Sequence, residues 1–349
     1  MNRAGFCAYL VSSGVNIRYL TGFRGTFGYL LVAAGKYYLL TDTRYILKAE
    51  KTTRVADIVA VTGENRFRRV SELLLDHGIK EVAFEQPWLT HEDYLKLRGD
   101  LRKIKLLDGR ALVESLRLCK DESEIRAIRE ACRVLDHGFK FLLDTVRPGM
   151  TEKQLQTKLS VFLFSCGIES LAFEPIVASG PVAAAPHAES TNRKIRTGDF
   201  VLADFGVCIG GYNSDMTRTV FVGRASIEER NVYKAVLKAH QAACLQARAG
   251  IKAAILFKTA MSVLRKHGLQ EHFTHGLGHG IGMEVHENPR IASSSANRLR
   301  TGMVFTIEPG VYFRNRFGVR IEDTGVLMNR GFVPLTHSPR QLIEIKRRR

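Results

Sequence analysis

Residues 200–222 read FVLADFGVCIGGYNSDMTRTVFV, and this stretch decides the fold of the larger part of the chain. Its apolar runs, Phe200–Val207 and Asp215–Val222, predict two strands of a hairpin that turns at Gly210-Gly211-Tyr212. Each run contains one acid, Asp204 or Asp215. Two carboxylates brought together repel each other unless a cation lies between them, and a divalent metal ion is the strongest such partner. Taken alone, hairpin acids bonded to backbone amides would be the better explanation.

Three further ligand candidates follow along the chain. Residues 275–282 read HGLGHGIG, a loop whose glycines allow close approach of the backbone to a ligand and whose His279 offers an imidazole nitrogen. Glu308 and Glu322 each stand at the end of an apolar run, where a buried acid needs a partner. Four carboxylates with one imidazole predict a site for two divalent cations rather than one structural zinc. Mn²⁺ is the first choice, with Co²⁺, Fe²⁺ or Zn²⁺ as alternatives.

The first third of the chain has its own pattern. Short apolar runs alternate with two helical segments, which predicts a small α/β unit. The predicted strands are Ala8–Val11, Tyr29–Ala33, Tyr37–Thr41, Ile58–Val61 and Glu81–Phe84, and the helices are Tyr45–Lys51 and Arg66–His77. Because the apolar period changes near Glu114–Asp121, we predict two domains, 1–117 and 118–349.

The second domain combines long helices with separate strands. Apolar spacing and capping boxes predict four helices: one along Ile125–Leu142, one beginning after Thr151, one from Ser226 to about Ala249, and one over Ala253–His267. Besides the hairpin, strands are predicted at Ile176–Ala178, Val304–Ile307, Val319–Ile321 and Thr324–Met328. Helices beside a mainly antiparallel sheet predict an α+β domain.

The composition is that of a folded protein without a dedicated membrane or nucleic-acid segment. The 349 residues are 45% hydrophobic, and apolar stretches such as Tyr29–Ala34 are far shorter than the about 20 residues that span a bilayer. Six scattered cysteines argue against a disulfide framework and favour a reducing cytoplasm. The net charge of +17 is spread along the chain, with only Lys346–Arg349 as a basic run, so nucleic acid is not an expected partner.

The five predicted ligands, in this order, resemble those of the pita-bread metallopeptidases, a family that includes methionine aminopeptidase, aminopeptidase P, prolidase and creatinase. The resemblance covers nearly the whole chain. It implies a pita-bread catalytic domain preceded by a smaller α/β domain of the creatinase type. It also implies a dinuclear metal centre whose ligands are Asp204, Asp215, His279, Glu308 and Glu322.

The segment before Asp204 is similar to the proline-directed branch of that family, because Ser179-Gly180 and Pro186-His187 match its S-G…P-H pattern. The resemblance implies that His187 and His286 hydrogen-bond the substrate carbonyl and the tetrahedral intermediate, or move protons. It further implies that Arg320 supports the metal ligands through hydrogen bonds. The pocket for proline would contain His275, Phe173 and Tyr312, although the two aromatic residues serve equally well as core residues.

The N-terminal segments NIRYLTGF (residues 16–23) and LLTDTRY (39–45) resemble the creatinase-type domain, which methionine aminopeptidases lack. Residues 22–28, GFRGTFG, look more like aminopeptidase P than like prolidase. We therefore expect an Xaa-Pro aminopeptidase that cleaves peptides with proline at the second position. The nucleophile would be a metal-bridging hydroxide, with Glu308 accepting the proton.

Several alternatives stay open. A prolidase restricted to dipeptides or a creatinase-like hydrolase would use the same ligands. A non-catalytic relative that binds nucleic acid or protein is the rival from another class, although such relatives have generally lost metal ligands. The family resemblance also implies a homodimer or higher homo-oligomer and no membrane partner.

Overall fold

The computed structural model describes residues 5–346. Residues 1–4 and 347–349, and with them most of the basic run at the C-terminus, lie outside the described residues. The chain divides into two compact units, Met1–Leu116 and Arg117–Arg349. None of the described helices is long and apolar enough to cross a membrane.

The first unit is built on one mixed sheet with helices between its strands. The strands are β1 (Ala8–Val11), β2 (Tyr29–Ala33), β3 (Lys36–Thr41), β4 (Asp57–Ala60), β5 (Glu81–Phe84) and β6 (Lys105–Asp108). The helices are α1 (Gly14–Thr21), α2 (Ile46–Thr52), α3 (Arg66–Asp76), α4 (His91–Asp100) and α5 (Leu112–Arg117). The strand order is β4-β3-β2-β1-β5-β6, with antiparallel pairing from β1 to β3 and parallel pairing elsewhere.

Both faces of this sheet are apolar. Along β2, Leu31 joins one buried cluster and Leu30 joins another, since successive side chains of a strand point to opposite faces. Buried strands of this kind have no polar face, which explains the near-continuous apolar runs in the sequence.

The second unit contains four long helices and the remaining strands. The helices are α6 (Glu122–Thr145), α7 (Glu152–Ser165), α8 (Ile227–Gln246) and α9 (Ala253–Lys266). The strands before α8 are β7 (Ser170–Leu171), β8 (Ile176–Ser179), β9 (Phe200–Phe205), β10 (Val207–Ile209), β11 (Tyr212–Asn213) and β12 (Met216–Val222). Those after α9 are β13 (Gly278–Gly280), β14 (Glu287–Ile291), β15 (Val304–Ile307), β16 (Gly310–Phe313), β17 (Phe317–Arg320), β18 (Asp323–Met328), β19 (Gly331–Pro334) and β20 (Glu344–Ile345).

Two sheets carry the site. One has the order β20-β12-β9-β8 and the other β14-β13-β15-β18-β19. Of the described pairings in this unit, only that of β12 with β20 is parallel, so the prediction of a mainly antiparallel α+β domain is confirmed.

The two faces of the β9–β12 pair have different neighbours. On one face, alternate residues such as Val201, Ala203 and Val220 pack with residues of α6 and α7. On the other face, Asp204 lies opposite Thr217 in the antiparallel register. The side-chain period of two therefore turns the acid away from the α6–α7 core.

Several predicted boundaries differ from the structure. The strand predicted over Phe200–Val207 ends at Phe205, and Gly206 then lies so close to Ser214 that a Cβ on it would be 2.3 Å from the Ser214 carbonyl oxygen. The predicted turn belongs to a small inserted hairpin of β10 and β11. Helix α8 ends at Gln246 rather than near Ala249, and the chain beyond it pairs with Leu299 through the Gly250 amide. The strand predicted over Val319–Ile321 is β17, which begins and ends earlier.

Candidate dinuclear metal centre

The five predicted ligands come from five different strands or strand ends. Asp204 lies on β9, Asp215 directly precedes β12, and His279 is the middle residue of β13. Glu308 directly follows β15, and Glu322 lies between β17 and β18. Hydrogen-bonded ladders fix each of these strands, so the positions of the ligands follow from strand register.

The ligand atoms are close enough to share cations. Asp215, His279 and Glu322 each offer one ligand atom, and these atoms lie within 4.8 Å of one another. The His279 Nε2 atom is 3.7 Å from Asp215 Oδ2 and 3.6 Å from Glu308 Oε1. The structure therefore brings the acids from both sheets to one imidazole.

The glycines of the HGLGHGIG loop make this approach possible. A Cβ on Gly278 would lie 2.1 Å from the Thr306 carbonyl oxygen, so the backbone before His279 packs directly against β15. The Thr306 hydroxyl accepts a hydrogen bond from the His279 amide at 3.1 Å. The close contact fixes His279 beside Glu308.

The acids carry a negative charge that the described protein atoms do not balance. Burial and the neighbouring carboxylates raise the pKa of Asp215 and of Glu322 well above the ordinary values, and burial raises the pKa of Glu308 to about 7. Among these ligands, three buried oxygens accept no hydrogen bond from the described residues: Asp204 Oδ1, Asp215 Oδ1 and Glu322 Oε1. Unsatisfied oxygens in a desolvated acidic cluster are what hard divalent cations require, so the donor set fits two such ions.

Arg320 connects the ligands to the substrate side of the site. Its guanidinium, buried at 3% exposure, donates to Asp204 Oδ2 at 2.5 Å, to the Tyr312 hydroxyl at 2.8 Å and to the Pro186 carbonyl at 3.1 Å. Its Nε donates to Thr217 Oγ1 at 3.0 Å, and that hydroxyl donates to Glu322 Oε2 at 2.7 Å. These bonds give Arg320 the supporting geometry that the resemblance implied.

A cavity of about 800 Å³ opens onto the ligands and contains ten of the eleven residues predicted for the site, including His187, His286, His275 and Phe173. Tyr312 is the exception, and it lies just behind the wall, with its hydroxyl 3.0 Å from His275 Nε2. The His279 and His286 rings are 4.3 Å apart, edge to face. Burial lowers the pKa of His286, and burial with the charge of Arg320 lowers that of His275 to about 4, so both rings are neutral near pH 7.

The structure adds residues that the sequence reasoning missed. Asn288 and Arg290 also line the cavity, and both are exposed. Both lie on β14, which begins directly after His286, and all three residues line the same cavity. Their spacing is visible in the sequence, but it indicates a shared site only once the cavity is known.

Two known protein families match this chain. The model of metallopeptidase family M24 matches residues 126–329, and that of the creatinase/prolidase N-terminal domain matches residues 1–119. An Xaa-Pro dipeptidase of Pyrococcus horikoshii is 33% identical, with 98% of this chain and 96% of that protein covered.

Two solved structures are similar over the whole chain. The Xaa-Pro dipeptidase from Bacillus anthracis has a TM-score of 0.94 at 35% identity, covering 98% of this chain and 96% of that one. The X-Pro aminopeptidase from Thermotoga maritima has a TM-score of 0.92 at 33% identity, covering 99% of each chain. The predicted pita-bread fold with a creatinase-type N-terminal domain is thereby confirmed. The chain is a metallopeptidase of family M24, a family that uses divalent metal ions.

Proposed function

We propose that the protein is an Xaa-Pro dipeptidase, which cleaves the bond between the first residue of a dipeptide and its C-terminal proline. The sequence favoured an aminopeptidase, with the dipeptidase as the alternative. Two of the similar proteins reported above are named Xaa-Pro dipeptidases, which supports the alternative. The observation that carries the proposal is the presence of Arg290 in the cavity.

Arg290 suits recognition of a free C-terminus. Among the described residues, no acid forms an ion pair with it, although its side chain lies in the same cavity as His187 and His286. A dipeptide carries its carboxylate one residue from the scissile bond, and a guanidinium can bind a carboxylate through two parallel hydrogen bonds. A longer peptide has a neutral amide at that position, so it would lose this charged contact.

The other site residues receive the following proposed roles. Divalent cations bound by Asp204, Asp215, His279, Glu308 and Glu322 would supply a water of lowered pKa and polarise the scissile carbonyl. Glu308 accepts the proton of the attacking water. The imidazoles of His187 and His286 donate hydrogen bonds to the carbonyl oxygen as it gains charge. Arg320 holds Asp204, and the wall formed by His275 and Phe173, with Tyr312 behind it, receives the proline ring.

The identity of the metal, the cellular compartment and the oligomeric state are part of the same proposal. Mn²⁺ is the proposed metal because the donor set is rich in carboxylate oxygens. All six cysteines are free, which supports a reducing compartment such as the cytoplasm. We further propose a homo-oligomer, on the family resemblance alone.

The test compares three substrates that differ at one position: an Xaa-Pro dipeptide, the same dipeptide with an amidated C-terminus, and an Xaa-Pro-Yaa tripeptide. We expect the dipeptide to have the highest kcat/KM. Replacing Arg290→Gln should lower that value about 10- to 100-fold, since hydrogen bonds to charged groups contribute about 1.5–3 kcal/mol, and should leave the amide nearly unchanged. Equal cleavage of all three substrates would exclude the dipeptidase.

The aminopeptidase is the second candidate. The similarity to the Thermotoga maritima X-Pro aminopeptidase favours it, as does a cavity larger than a dipeptide requires. Under this alternative the tripeptide is cleaved at least as fast as the dipeptide, and Arg290→Gln changes neither rate.

A further inference from the structure

One fully buried acid of the second unit has no part in the proposed chemistry. Glu152 is the first residue of α7 and has no exposed surface. Its Oε1 atom accepts hydrogen bonds from the Ser179 amide at 2.7 Å and the Ser179 hydroxyl at 2.6 Å. Its Oε2 atom accepts from the Thr191 amide at 2.9 Å and the Thr191 hydroxyl at 2.6 Å. One carboxylate therefore binds two chain segments that are separated in sequence.

Those two segments are the ends of the loop that carries His187. Ser179 is the last residue of β8, and the loop, residues 180–190, returns to α7 at Thr191. The His187 imidazole forms no hydrogen bond with the other described residues and is exposed to the cavity. Its position therefore depends on the backbone that carries it.

We propose that Glu152 is a positioning residue that holds the loop 180–190, and with it His187, against the metal centre. The proposal rests on the catalytic role given to His187 above. It requires the carboxylate specifically, because only a carboxylate accepts at both oxygens. An amide at this position would point its NH₂ group at the two donors of one loop end.

Other bonds keep the loop near its place when this contact is lost. The Val177 amide donates to Ser190 Oγ at 2.8 Å, and Arg320 donates to the Pro186 carbonyl at 3.1 Å. Arg193 donates to Ser179 Oγ at 2.6 Å. Because this bond occupies the oxygen as an acceptor, the Ser179 hydroxyl directs its own proton to Glu152. A variant at Glu152 should therefore retain the fold but no longer hold the loop 180–190 in its exact place.

The experiment uses Glu152→Gln with Glu122→Gln as the matched control. Glu122 is likewise the first residue of its helix, α6, and follows a capping-box residue, but its side chain is 95% exposed. Hydrogen exchange of the metal-free protein is followed by mass spectrometry in peptides covering 180–190. We expect Glu152→Gln to accelerate exchange there about tenfold or more, since buried donors are left unpaired, and Glu122→Gln to leave it unchanged.

Kinetics with an Xaa-Pro dipeptide then separate positioning from general destabilisation. Glu152→Gln should lower kcat about 10- to 100-fold in the native background and have almost no effect on kcat in a His187→Ala background. Unchanged exchange in 180–190, or the same fold-loss of kcat in both backgrounds, would overturn the proposal.

Two milder variants cover the case in which Glu152→Gln does not fold. Ser179→Ala and Thr191→Val each remove one of the four hydrogen bonds, and each should accelerate exchange in the same loop to a smaller extent. Hydrogen exchange needs no substrate, so a failure of the positioning proposal can be distinguished from a failure of the proposed function. Faster exchange in 180–190 in an enzyme without dipeptidase activity would refute only the proposed function.

Discussion

Replacing Thr217 by valine tests whether the hydrogen bonds behind the ligands contribute to metal binding. The Thr217 hydroxyl is fully buried, donates to Glu322 Oε2 at 2.7 Å and accepts from Arg320 Nε at 3.0 Å. Valine has nearly the same shape and neither bond. Loss of a contact to a ligating carboxylate typically weakens metal binding 10- to 100-fold, which is about 1.4–2.8 kcal/mol.

The same strand supplies the control. Thr219 is also buried, donates to the Arg320 carbonyl at 2.9 Å and accepts from the Arg320 amide at 3.2 Å, but it touches no ligand. Each valine variant leaves buried groups unpaired, so both should lose about 1–3 kcal/mol of unfolding free energy. Only Thr217→Val should also lose affinity for Mn²⁺.

Calorimetric titration of Mn²⁺ into each metal-free protein measures the difference, and urea denaturation without metal measures the stability. Equal Mn²⁺ affinities for Thr217→Val and Thr219→Val would show that the hydrogen bonds behind the ligands contribute nothing to metal binding. Comparable losses of stability are needed for the comparison to be fair, and the matched burial of the two hydroxyls provides for this.

Three further predictions follow from the geometry. Gly278→Ala places a Cβ 2.1 Å from the Thr306 carbonyl oxygen, so it should lower the unfolding free energy by about 1–3 kcal/mol and reduce Mn²⁺ binding; a stable variant with normal binding would contradict the contact. Asp323→Asn leaves the fully buried Arg218 guanidinium without its counter-charge and should cost about 3–5 kcal/mol of unfolding free energy in urea denaturation, whereas Asp42→Asn, in an exposed pair, should cost much less. Chelation of the metal should lower the Tm, and Mn²⁺ at about 100 times its Kd should restore about 2.7 kcal/mol of unfolding free energy. A Tm that changes with neither treatment would exclude a bound metal.

The ligand candidates could be found from sequence because a buried acid in an apolar strand is physically costly. Asp204 stands out within an apolar strand and Glu322 at the end of an apolar run, and the structure brings both to the same cavity. Their neighbours could not be found by this argument. Thr217 is an ordinary β-branched strand residue, and its importance comes from two partners more than one hundred residues away.

The local errors have a tertiary cause. Strand propensity does not indicate that β9 ends before Gly206. Ser214 and the Phe173 ring approach Gly206 closely, and this approach exists only in the folded chain. The contacts of Glu152 could not be predicted either, because its sequence context indicates only the first turn of a helix. Its four hydrogen-bond donors belong to Ser179 on β8 and to Thr191 in the chain after His187, and that arrangement exists only in the folded protein.

The metal centre and the two histidines beside it differ in how they are supported. The ligands lie on or next to paired strands, whereas His187 belongs to a loop and His286 to the connection between β13 and β14. The exposed residues of those connections, such as His187 and His286, take no part in the strand ladders. A designer who wanted a new leaving group or a longer substrate could therefore vary the exposed residues around these two histidines while keeping the metal cradle.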